Sequence, residues 1–162
     1  MKRKIVASIL GVGVAWSVAV AEGTATDNYT VTATVQPYCE ILSLSDVTLE
    51  YNPYKPPVTS KSAAFSFKCV KGTNFTISAT SANGRYLVKA DDPDEKIAYS
   101  LGVLIQYSSS SAYSPDVFTT PLSATAETKE PPVAALRFTN ISSGQNVSIG
   151  TYTDTVTLTI TY

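Results

Sequence analysis

Residues 151–162 read Thr-Tyr-Thr-Asp-Thr-Val-Thr-Leu-Thr-Ile-Thr-Tyr, and this stretch decides the fold. Threonine occupies every odd position, while the even positions carry Tyr152, Val156, Leu158, Ile160 and Tyr162, interrupted only by Asp154. A period of two is typical of a β-strand, because successive side chains point to opposite faces. The stretch therefore predicts one strand, about 35–40 Å long, with a hydroxylated face and an apolar face. A slip of one residue would exchange the faces, so its pairing register is strongly determined.

The same alternation of apolar or aromatic residues with polar ones recurs upstream. It is found in residues 29–35, 65–69, 75–79, 97–103 and 135–138. Between these runs lie turn-forming residues, including the Pro-rich stretch 52–57 and the dipeptide Asn83-Gly84. Short alternating runs with turn signals between them predict a single all-β domain, an antiparallel sandwich.

The first residues predict export. Lys2, Arg3 and Lys4 form a basic n-region, residues 5–20 are apolar, and Ala19-Val20-Ala21 matches the small-residue cleavage pattern. The apolar run is shorter than the roughly 20 residues that span a bilayer. We therefore expect residues 1–21 to be a signal peptide, the mature chain to begin at Glu22, and no stable membrane insertion.

Composition argues against several classes of function. Without residues 1–21 the chain has nine basic and thirteen acidic residues, a net charge of −4. Because binding to nucleic acid or to an anionic membrane needs clustered Lys and Arg, neither partner is expected. The sequence contains no histidine for a triad or a general base, so no enzyme activity and no cofactor are expected.

The sequence contains one cluster of acidic residues, within residues 91–95. Asp91, Asp92, Asp94 and Glu95 surround Pro93, which predicts a solvated surface loop. Their spacing does not match the ligand positions of an EF-hand loop. No metal site is expected, although Ca²⁺ binding by this loop stays open.

Cys39 and Cys69 are the two cysteines of the chain. An even count in an exported protein predicts one disulfide, because the compartments outside the cytosol are oxidising. The pair lacks C-x-x-C spacing and any histidine, so we interpret the bridge as structural. Closing a loop of about 30 residues stabilises a fold by roughly 3–4 kcal/mol on the chain-entropy model.

The two ends of the exported chain bear on function. The apolar face of the final strand ends at Tyr162, and a long strand edge with unpaired backbone groups needs a covering partner. Residues 22–35 carry a second alternating segment outside the Cys39–Cys69 loop. Two interpretations are open: this segment pairs within its own sandwich, or it is exchanged between subunits as an added strand.

Three stretches make the chain resemble the spore coat protein U domain family, which includes the pilins of archaic chaperone–usher systems. Residues 29–35 followed by Cys39 resemble the opening strand of the family. Residues 65–69 resemble the strand with the second cysteine, and residues 150–162 resemble the closing Gly-x-Tyr-x-Asp strand. The stretch Leu49–Tyr54 departs from the family, which usually has a Phe-Gly pair before a tyrosine here.

The resemblance implies an incomplete immunoglobulin-like antiparallel β-sandwich, residues 37–162, completed by donor-strand exchange. The N-terminal extension, residues 22–36, would supply the donor strand, with Tyr29, Val31, Ala33 and Val35 filling pockets. The acceptor groove, which a chaperone also faces, would be walled by Tyr152, Val156, Leu158, Ile160 and Tyr162.

The partners implied are identical or related pilin subunits, a periplasmic chaperone and an outer-membrane usher. The chain would then travel through the periplasm to a cell-surface fimbria that supports adhesion or biofilm formation. Two alternatives remain. One is a spore-coat or other surface coat protein of the same fold, and the other is a monomeric secreted carbohydrate-binding module that uses exposed tyrosines such as those in residues 107–113.

Overall fold

The computed structural model describes residues 23–162, apart from the side chains of residues 59 and 60. The predicted signal peptide, residues 1–21, lies outside the described residues. Every helix or strand in the described chain is a β-strand, which confirms the all-β prediction. The strands are β1 (Cys39–Leu44), β2 (Val58–Cys69), β3 (Asn74–Ser81), β4 (Tyr86–Lys89), β5 (Asp92–Ala98), β6 (Ser100–Gln106), β7 (Ser111–Ser114), β8 (Leu122–Thr125), β9 (Ala134–Ile141), β10 (Tyr152–Thr153) and β11 (Val156–Thr161).

The strands form three antiparallel sheets. Their strand orders are β1-β2-β9-β6-β7, β11-β3-β8 and β10-β4-β5. Phe67 and Val103 of the first sheet share one core with Ile77 and Leu158 of the second, so these two sheets pack face to face. In the described chain β1 and β11 are each an outermost strand of their sheet, and β7 and β8 lie at the opposite edges.

Period-two patterning explains the core. On β2 and β3, Phe65, Phe67, Phe75 and Ile77 are buried, while the residues between them are more exposed. The Phe67 and Phe75 rings pack edge to face with centroids 5.3 Å apart. Burying each such side chain stabilises the fold by roughly 1.5–3 kcal/mol, so the alternation seen in the sequence directly selects the inward face.

The disulfide joins β1 to the core. Cys39 and Cys69 are bonded, both are buried, and they lie opposite each other in the β1–β2 register, with Cα atoms 4.1 Å apart. This confirms the predicted bridge. Its effect is to hold β1, which has one strand neighbour, covalently against β2.

The predicted C-terminal strand is wrong in one respect. It is not continuous over residues 151–162: β10 pairs with β4, β11 pairs with β3, and the strand breaks at Asp154 and Thr155. Asp154 causes the break because its carboxylate accepts hydrogen bonds from neighbouring backbone and side-chain groups, which draws the chain out of a regular ladder.

Two other predictions need correction. The acidic stretch 91–95 is not a loop, since Asp92–Ala98 forms β5 and pairs with β4 across a register irregularity. The run 97–103 is not one strand either. It divides at Tyr99 between β5 and β6, which belong to different sheets.

Residues 35–162 form one compact unit, and residues 23–34 are described by themselves. Residues 23–38 form no strand. The alternation in residues 29–35 is therefore not realised as a strand in the single chain.

Candidate functional site

A groove of about 850 Å³ lies in the compact unit. One wall is the segment 44–54, which follows β1, and the other is the segment 147–156, which contains β10 and leads into β11. The floor comes from the strands between them, with Leu101 of β6 and Thr139 of β9 among the lining residues. The groove thus runs between the ends of the two outermost strands, β1 and β11.

The floor of the groove is mainly apolar. Ile97, Leu101 and Tyr99 line it and are buried in the protein core. Ile97 and Tyr99 belong to a second core cluster with Ile141, against which Val147 and Tyr152 of the wall also pack. A concave surface with an apolar floor and polar groups along its walls suits an inserted chain segment.

The first wall is held by a tyrosine and by backbone hydrogen bonds. The Tyr51 hydroxyl donates to the carbonyl of Ser142 at 3.0 Å and accepts from the amide of Gln145 at 3.1 Å. The amide of Gly144 donates to the carbonyl of Pro53 at 3.0 Å. These bonds tie the segment after β1 to the loop after β9, so the groove has a defined shape.

Strand β1 presents apolar side chains to solvent. Ile41, Leu42 and Leu44 are 37%, 45% and 44% exposed, and the residues of β1 after Cys39 are all exposed. Exposure of both faces is unusual for a strand bonded to a sandwich, because one face normally enters the core. On an outermost strand, such apolar surface indicates a place where a further strand adds.

Strand β11 has the two faces that the sequence predicts. Leu158 is buried, Val156 and Ile160 pack against the core, and the threonines between them are exposed. In the register with β3, Thr76 lies opposite Thr161 and Ser78 opposite Thr159, so hydroxyl side chains continue across the outer face. The ladder extends to β8, where the Thr76 and Ser123 hydroxyls are 3.0 Å apart.

Asp154 organises the mouth of the groove. Its carboxylate accepts hydrogen bonds from the Tyr99 hydroxyl at 2.6 Å, the Ser81 hydroxyl at 2.5 Å and the Asn83 amide at 3.1 Å. Burial is the largest cause that raises the pKa of Tyr99, and the bond to Asp154 raises it further. Tyr99 is therefore a neutral donor at physiological pH.

The predicted turn at Asn83-Gly84 is confirmed next to this carboxylate. Gly84 has φ 65° and Arg85 has φ 73°, a region that glycine enters without steric cost and arginine does not. The Ser81 hydroxyl accepts a hydrogen bond from the Arg85 amide at 2.6 Å. The bonds of Ser81 and Asn83 to Asp154 thus hold the turn between β3 and β4.

Arg137 is a charged residue on the inward face of β9. It alternates with buried Ala135 and Thr139, lines the groove, and donates to the carbonyl of Ser45. Its Nε is buried and has no hydrogen-bond partner. Burial lowers the pKa of Arg137, while the charge of Asp46 opposes that shift. A partly buried guanidinium with an unsatisfied donor costs free energy.

The residues predicted from the sequence lie in two places. The predicted acceptor-wall residues Val156, Leu158 and Ile160 form the core-facing side of β11, Tyr162 follows it, and Tyr152 is half-buried in β10. Of these, Tyr152 and Val156 line the groove. At the far end of β11 the rings of Tyr38 and Tyr162 meet edge to face, with centroids 6.0 Å apart.

The predicted donor residues are all exposed. Tyr29, Val31 and Val35 have 87%, 79% and 76% of their surface exposed, and Ala33 is exposed as well. Three large apolar side chains at alternate positions of the segment are thus left in water. Scattered exposed apolar residues are normal, but a regular row of them is typical of a segment that binds elsewhere.

Sequence reasoning missed Arg137 and the clustering role of Asp154. Arg137 could have been found as the one charge at the alternate positions from Ala135 to Ile141. The sequence shows Asp154 as an interruption of the final strand, but its partners Ser81, Asn83 and Tyr99 are distant in sequence. Only the folded chain brings them together.

Other sites considered from the sequence are altered by the structure. The tyrosines in residues 107–113 do not form one exposed surface, because Tyr107 is buried and the Tyr113 ring contacts Phe138, with centroids 6.5 Å apart. In the acidic stretch, the Glu95 carboxylate accepts hydrogen bonds from the Tyr152 hydroxyl and the Ser148 amide, both at 3.1 Å. No group of three or more His, Cys, Asp or Glu side chains in residues 23–162 is arranged to hold a metal ion.

The described residues also contain no helix that is long and apolar enough to span a membrane. Their architecture is an antiparallel β-sandwich in which two outermost strands border an apolar groove.

The Spore Coat Protein U domain model matches residues 25–159. The chain belongs to this family, in agreement with the resemblance seen in the opening, second-cysteine and closing strands.

One solved structure similar to this chain is the CsuC–CsuE chaperone–tip adhesion subunit pre-assembly complex from the archaic chaperone-usher Csu pili of Acinetobacter baumannii. The similarity has 23% sequence identity and a TM-score of 0.49, and it covers 80% of this chain. This chain spans 40% of the length of the matched chain. No curated protein matches the sequence.

Proposed function

We propose that this protein is a structural subunit of a surface pilus, assembled by the chaperone–usher pathway through donor-strand complementation. The observation that carries the proposal is the apolar groove between the outermost strands β1 and β11. Membership in the Spore Coat Protein U domain family supports it, because that family includes such pilins.

The physical basis is strand addition. An added strand would satisfy backbone groups at a free sheet edge, and its alternate side chains would enter the groove and supply specificity. Residues 29–35 have the required pattern, since Tyr29, Val31, Ala33 and Val35 are exposed and would share one face if the segment became a strand. The segment would act as donor for the groove of another subunit, whose wall includes Tyr152 and Val156.

The proposal has consequences for partners and location. A periplasmic chaperone would cover the groove before assembly, the usher would exchange that strand for the extension of the next subunit, and the product would be a polymer of identical or related subunits. The polymer would lie at the cell surface and support adhesion or biofilm formation. Catalysis has no place in this function, because the energy of assembly comes from completing the fold.

Expression of the exported chain with and without residues 22–35 tests the proposal. The full chain should form detergent-resistant oligomers, and the truncated chain should remain monomeric and less stable until a peptide copying residues 22–35 is added. Monomeric behaviour and equal stability of both forms would contradict strand exchange and favour a monomeric secreted module.

A point substitution in the full chain provides a matched control. Val31→Asp places a charge on the apolar face and should abolish the oligomers, whereas Thr32→Asp places the same charge on the opposite face and should leave most of them intact. Equal loss in both variants would mean that the apolar face of the segment is not what binds.

A further inference from the structure

Asn83 and Gly84 lie in the turn between β3 and β4, and both are exposed. The backbone nitrogen of the residue after an asparagine can attack the carbon of the asparagine side-chain amide. Glycine has no side chain to hinder that attack, so an Asn-Gly dipeptide reacts most readily. The dipeptide therefore has the chemistry for spontaneous loss of the side-chain amide, or deamidation.

The other asparagines of the chain have residues after them that obstruct the reaction. The six asparagines are Asn28, Asn52, Asn74, Asn83, Asn140 and Asn146, and Asn83 is the one that precedes glycine. Proline follows Asn52, and its nitrogen has no hydrogen to lose. The remaining four precede tyrosine, phenylalanine, isoleucine or valine, whose side chains crowd the attacking nitrogen.

The folded turn holds the reacting groups weakly. The Gly84 amide donates to the carbonyl of Ser81 at 3.5 Å, and Nδ2 of Asn83 donates to the carbonyl of Thr153 at 3.3 Å. Both bonds are longer than the usual distance of roughly 2.9–3.0 Å, so releasing them costs little. Beyond its chain neighbours, no atom of the described residues lies within 4 Å of the position that a Cβ would take at Gly84. The turn thus has room for the attack.

The reaction needs no reagent besides water. The Gly84 nitrogen loses its proton to water or hydroxide and forms a bond to Cγ of Asn83, and the side-chain nitrogen takes up a proton and leaves as ammonia. Water then opens the five-membered imide at either of its two carbonyl groups. One opening gives aspartate, and the other gives isoaspartate, in which the main chain runs through the side-chain carbon. Either product adds one negative charge.

Both products disturb the contacts at the mouth of the groove. A carboxylate at position 83 only accepts hydrogen bonds, so it would face the Thr153 carbonyl without a hydrogen between them. The Asn83 backbone nitrogen lies 3.1 Å from Oδ1 of Asp154, so the new charge arises close to an existing one. Isoaspartate also lengthens the main chain just before Gly84 and Arg85, whose φ values of 65° and 73° shape the turn.

We propose that Asn83 is a site of spontaneous deamidation in the folded protein, and that its conversion releases the turn between β3 and β4 from Asp154. Because Asp154 also accepts hydrogen bonds from Tyr99 and Ser81, the conversion loosens the place where these residues meet at the groove. This chemistry is independent of what fills the groove, so it does not rest on the proposed function.

Peptide mapping of the exported chain tests the reaction. The folded protein is kept at mildly alkaline pH and physiological temperature for days, and samples are digested with trypsin, with a zero-time sample to correct for conversion during digestion. Cleavage after Lys71 and Arg85 gives one peptide that contains both Asn83 and Asn74, so the site and its control are measured together. Fragment masses should show conversion at Asn83 at least several-fold faster than at Asn74, with aspartate and isoaspartate as products.

Two results would overturn the site. One is conversion at Asn83 that is no faster than at Asn74. The other is conversion that proceeds in denaturant but is absent in the folded protein, since the turn would then protect the amide. Asn83→Gln should remove the reaction at this position, because its longer side chain would have to close a larger ring.

The structural consequence is measured separately. Asn83→Asp fixes the aspartate product, and its denaturation midpoint should lie below that of the parent chain. Ala82→Asp is the matched control, because it places the same charge on the adjacent exposed residue and leaves the bond to Thr153 in place. Hydrogen exchange at the Tyr99 amide, which donates to the Arg85 carbonyl at 3.3 Å, should be several-fold faster in Asn83→Asp than in Ala82→Asp.

The parent chain gives the same measurement without a substitution. Its denaturation midpoint should fall in step with the fraction of Asn83 converted, and Asn83→Gln kept under the same conditions should hold its midpoint. A midpoint that stays constant as conversion proceeds, or equal midpoints for Asn83→Asp and Ala82→Asp, would contradict the release of the turn from Asp154.

Discussion

The Tyr99 hydroxyl donates a 2.6 Å hydrogen bond to the carboxylate of Asp154. Both residues stand where a strand is interrupted: Tyr99 separates β5 from β6, and Asp154 separates β10 from β11. At each interruption the chain passes from one sheet to another. The hydrogen bond therefore joins the two places where the chain changes sheet, and both residues line the groove. The Ser81 and Asn83 bonds to the same carboxylate add the turn before β4.

Loss of the Asp154 carboxylate should destabilise the fold. Asp154→Ala leaves the Tyr99 and Ser81 hydroxyls and two backbone amides without their acceptor, and unsatisfied buried donors cost about 1–3 kcal/mol each when water cannot reach them. We expect the free energy of unfolding to fall by about 3 kcal/mol in denaturant titrations. Asp116→Ala is a useful comparison, since that carboxylate also accepts hydrogen bonds from backbone amides, those of Leu101 and Phe118, and not from the turns that Asp154 joins. Loss of less than about 0.5 kcal/mol in Asp154→Ala would contradict the organising role, since that is the size of an ordinary surface substitution.

Tyr99 should make stability depend on alkaline pH. The fold raises the pKa of Tyr99 above its ordinary value of 10.0, so the folded chain holds this proton more tightly than the unfolded chain. The stabilisation is complete below the unfolded pKa and is lost as pH rises above about 10, because the unfolded state then releases the proton first. Burial raises the pKa of Tyr107 as well, so part of the decline belongs to that residue.

Comparison with Tyr99→Phe isolates the contribution. Denaturant midpoints measured from pH 8 to pH 11 should fall more steeply in the parent chain than in the variant. At pH 8 the variant should be less stable by about 1 kcal/mol, the usual size of one hydrogen bond. Parallel curves across the whole range would show that the Tyr99 proton is not linked to folding.

Replacing Arg137 with leucine should stabilise the isolated chain. Its buried Nε has no partner, and burial already lowers the pKa of the guanidinium. An apolar side chain removes that cost and keeps aliphatic surface in the groove, so we expect a gain of about 1 kcal/mol in the free energy of unfolding. A loss of stability of similar size would show instead that the bond from Arg137 to the Ser45 carbonyl outweighs the unsatisfied donor.

Reduction of the disulfide should weaken the anchoring of β1. Replacing both Cys39 and Cys69 with alanine opens a loop with a sequence separation of 30 residues. On the chain-entropy model the free energy of unfolding should fall by about 3–4 kcal/mol. Lys68→Ala with Glu40→Ala is the matched control, because it removes the exposed ion pair between the same two strands and should cost less than about 1 kcal/mol.

Local patterning predicted the strands that depend on alternation. Phe65, Phe67, Phe75 and Ile77 could be assigned to the core from sequence, because a strand with one buried face must repeat every two residues. The disulfide followed from two cysteines in a chain whose sequence predicts export. The prediction of a loop at the acidic stretch 91–95 was wrong, because Asp92 and Glu95 lack an alternating pattern. They belong to β5 because that segment pairs with β4.

Residues 151–162 illustrate which features the local sequence determines and which depend on the tertiary structure. Its sequence determined the two faces, the threonine row and the apolar row with Leu158 at its centre, because alternation is a property of neighbouring residues. Only the tertiary structure decided that the strand breaks at Asp154, since the donors from Ser81, Asn83 and Tyr99 arrive from distant parts of the chain. The groove beside β11 is likewise a tertiary feature, because it lies between surfaces that come together only when the sheets pack.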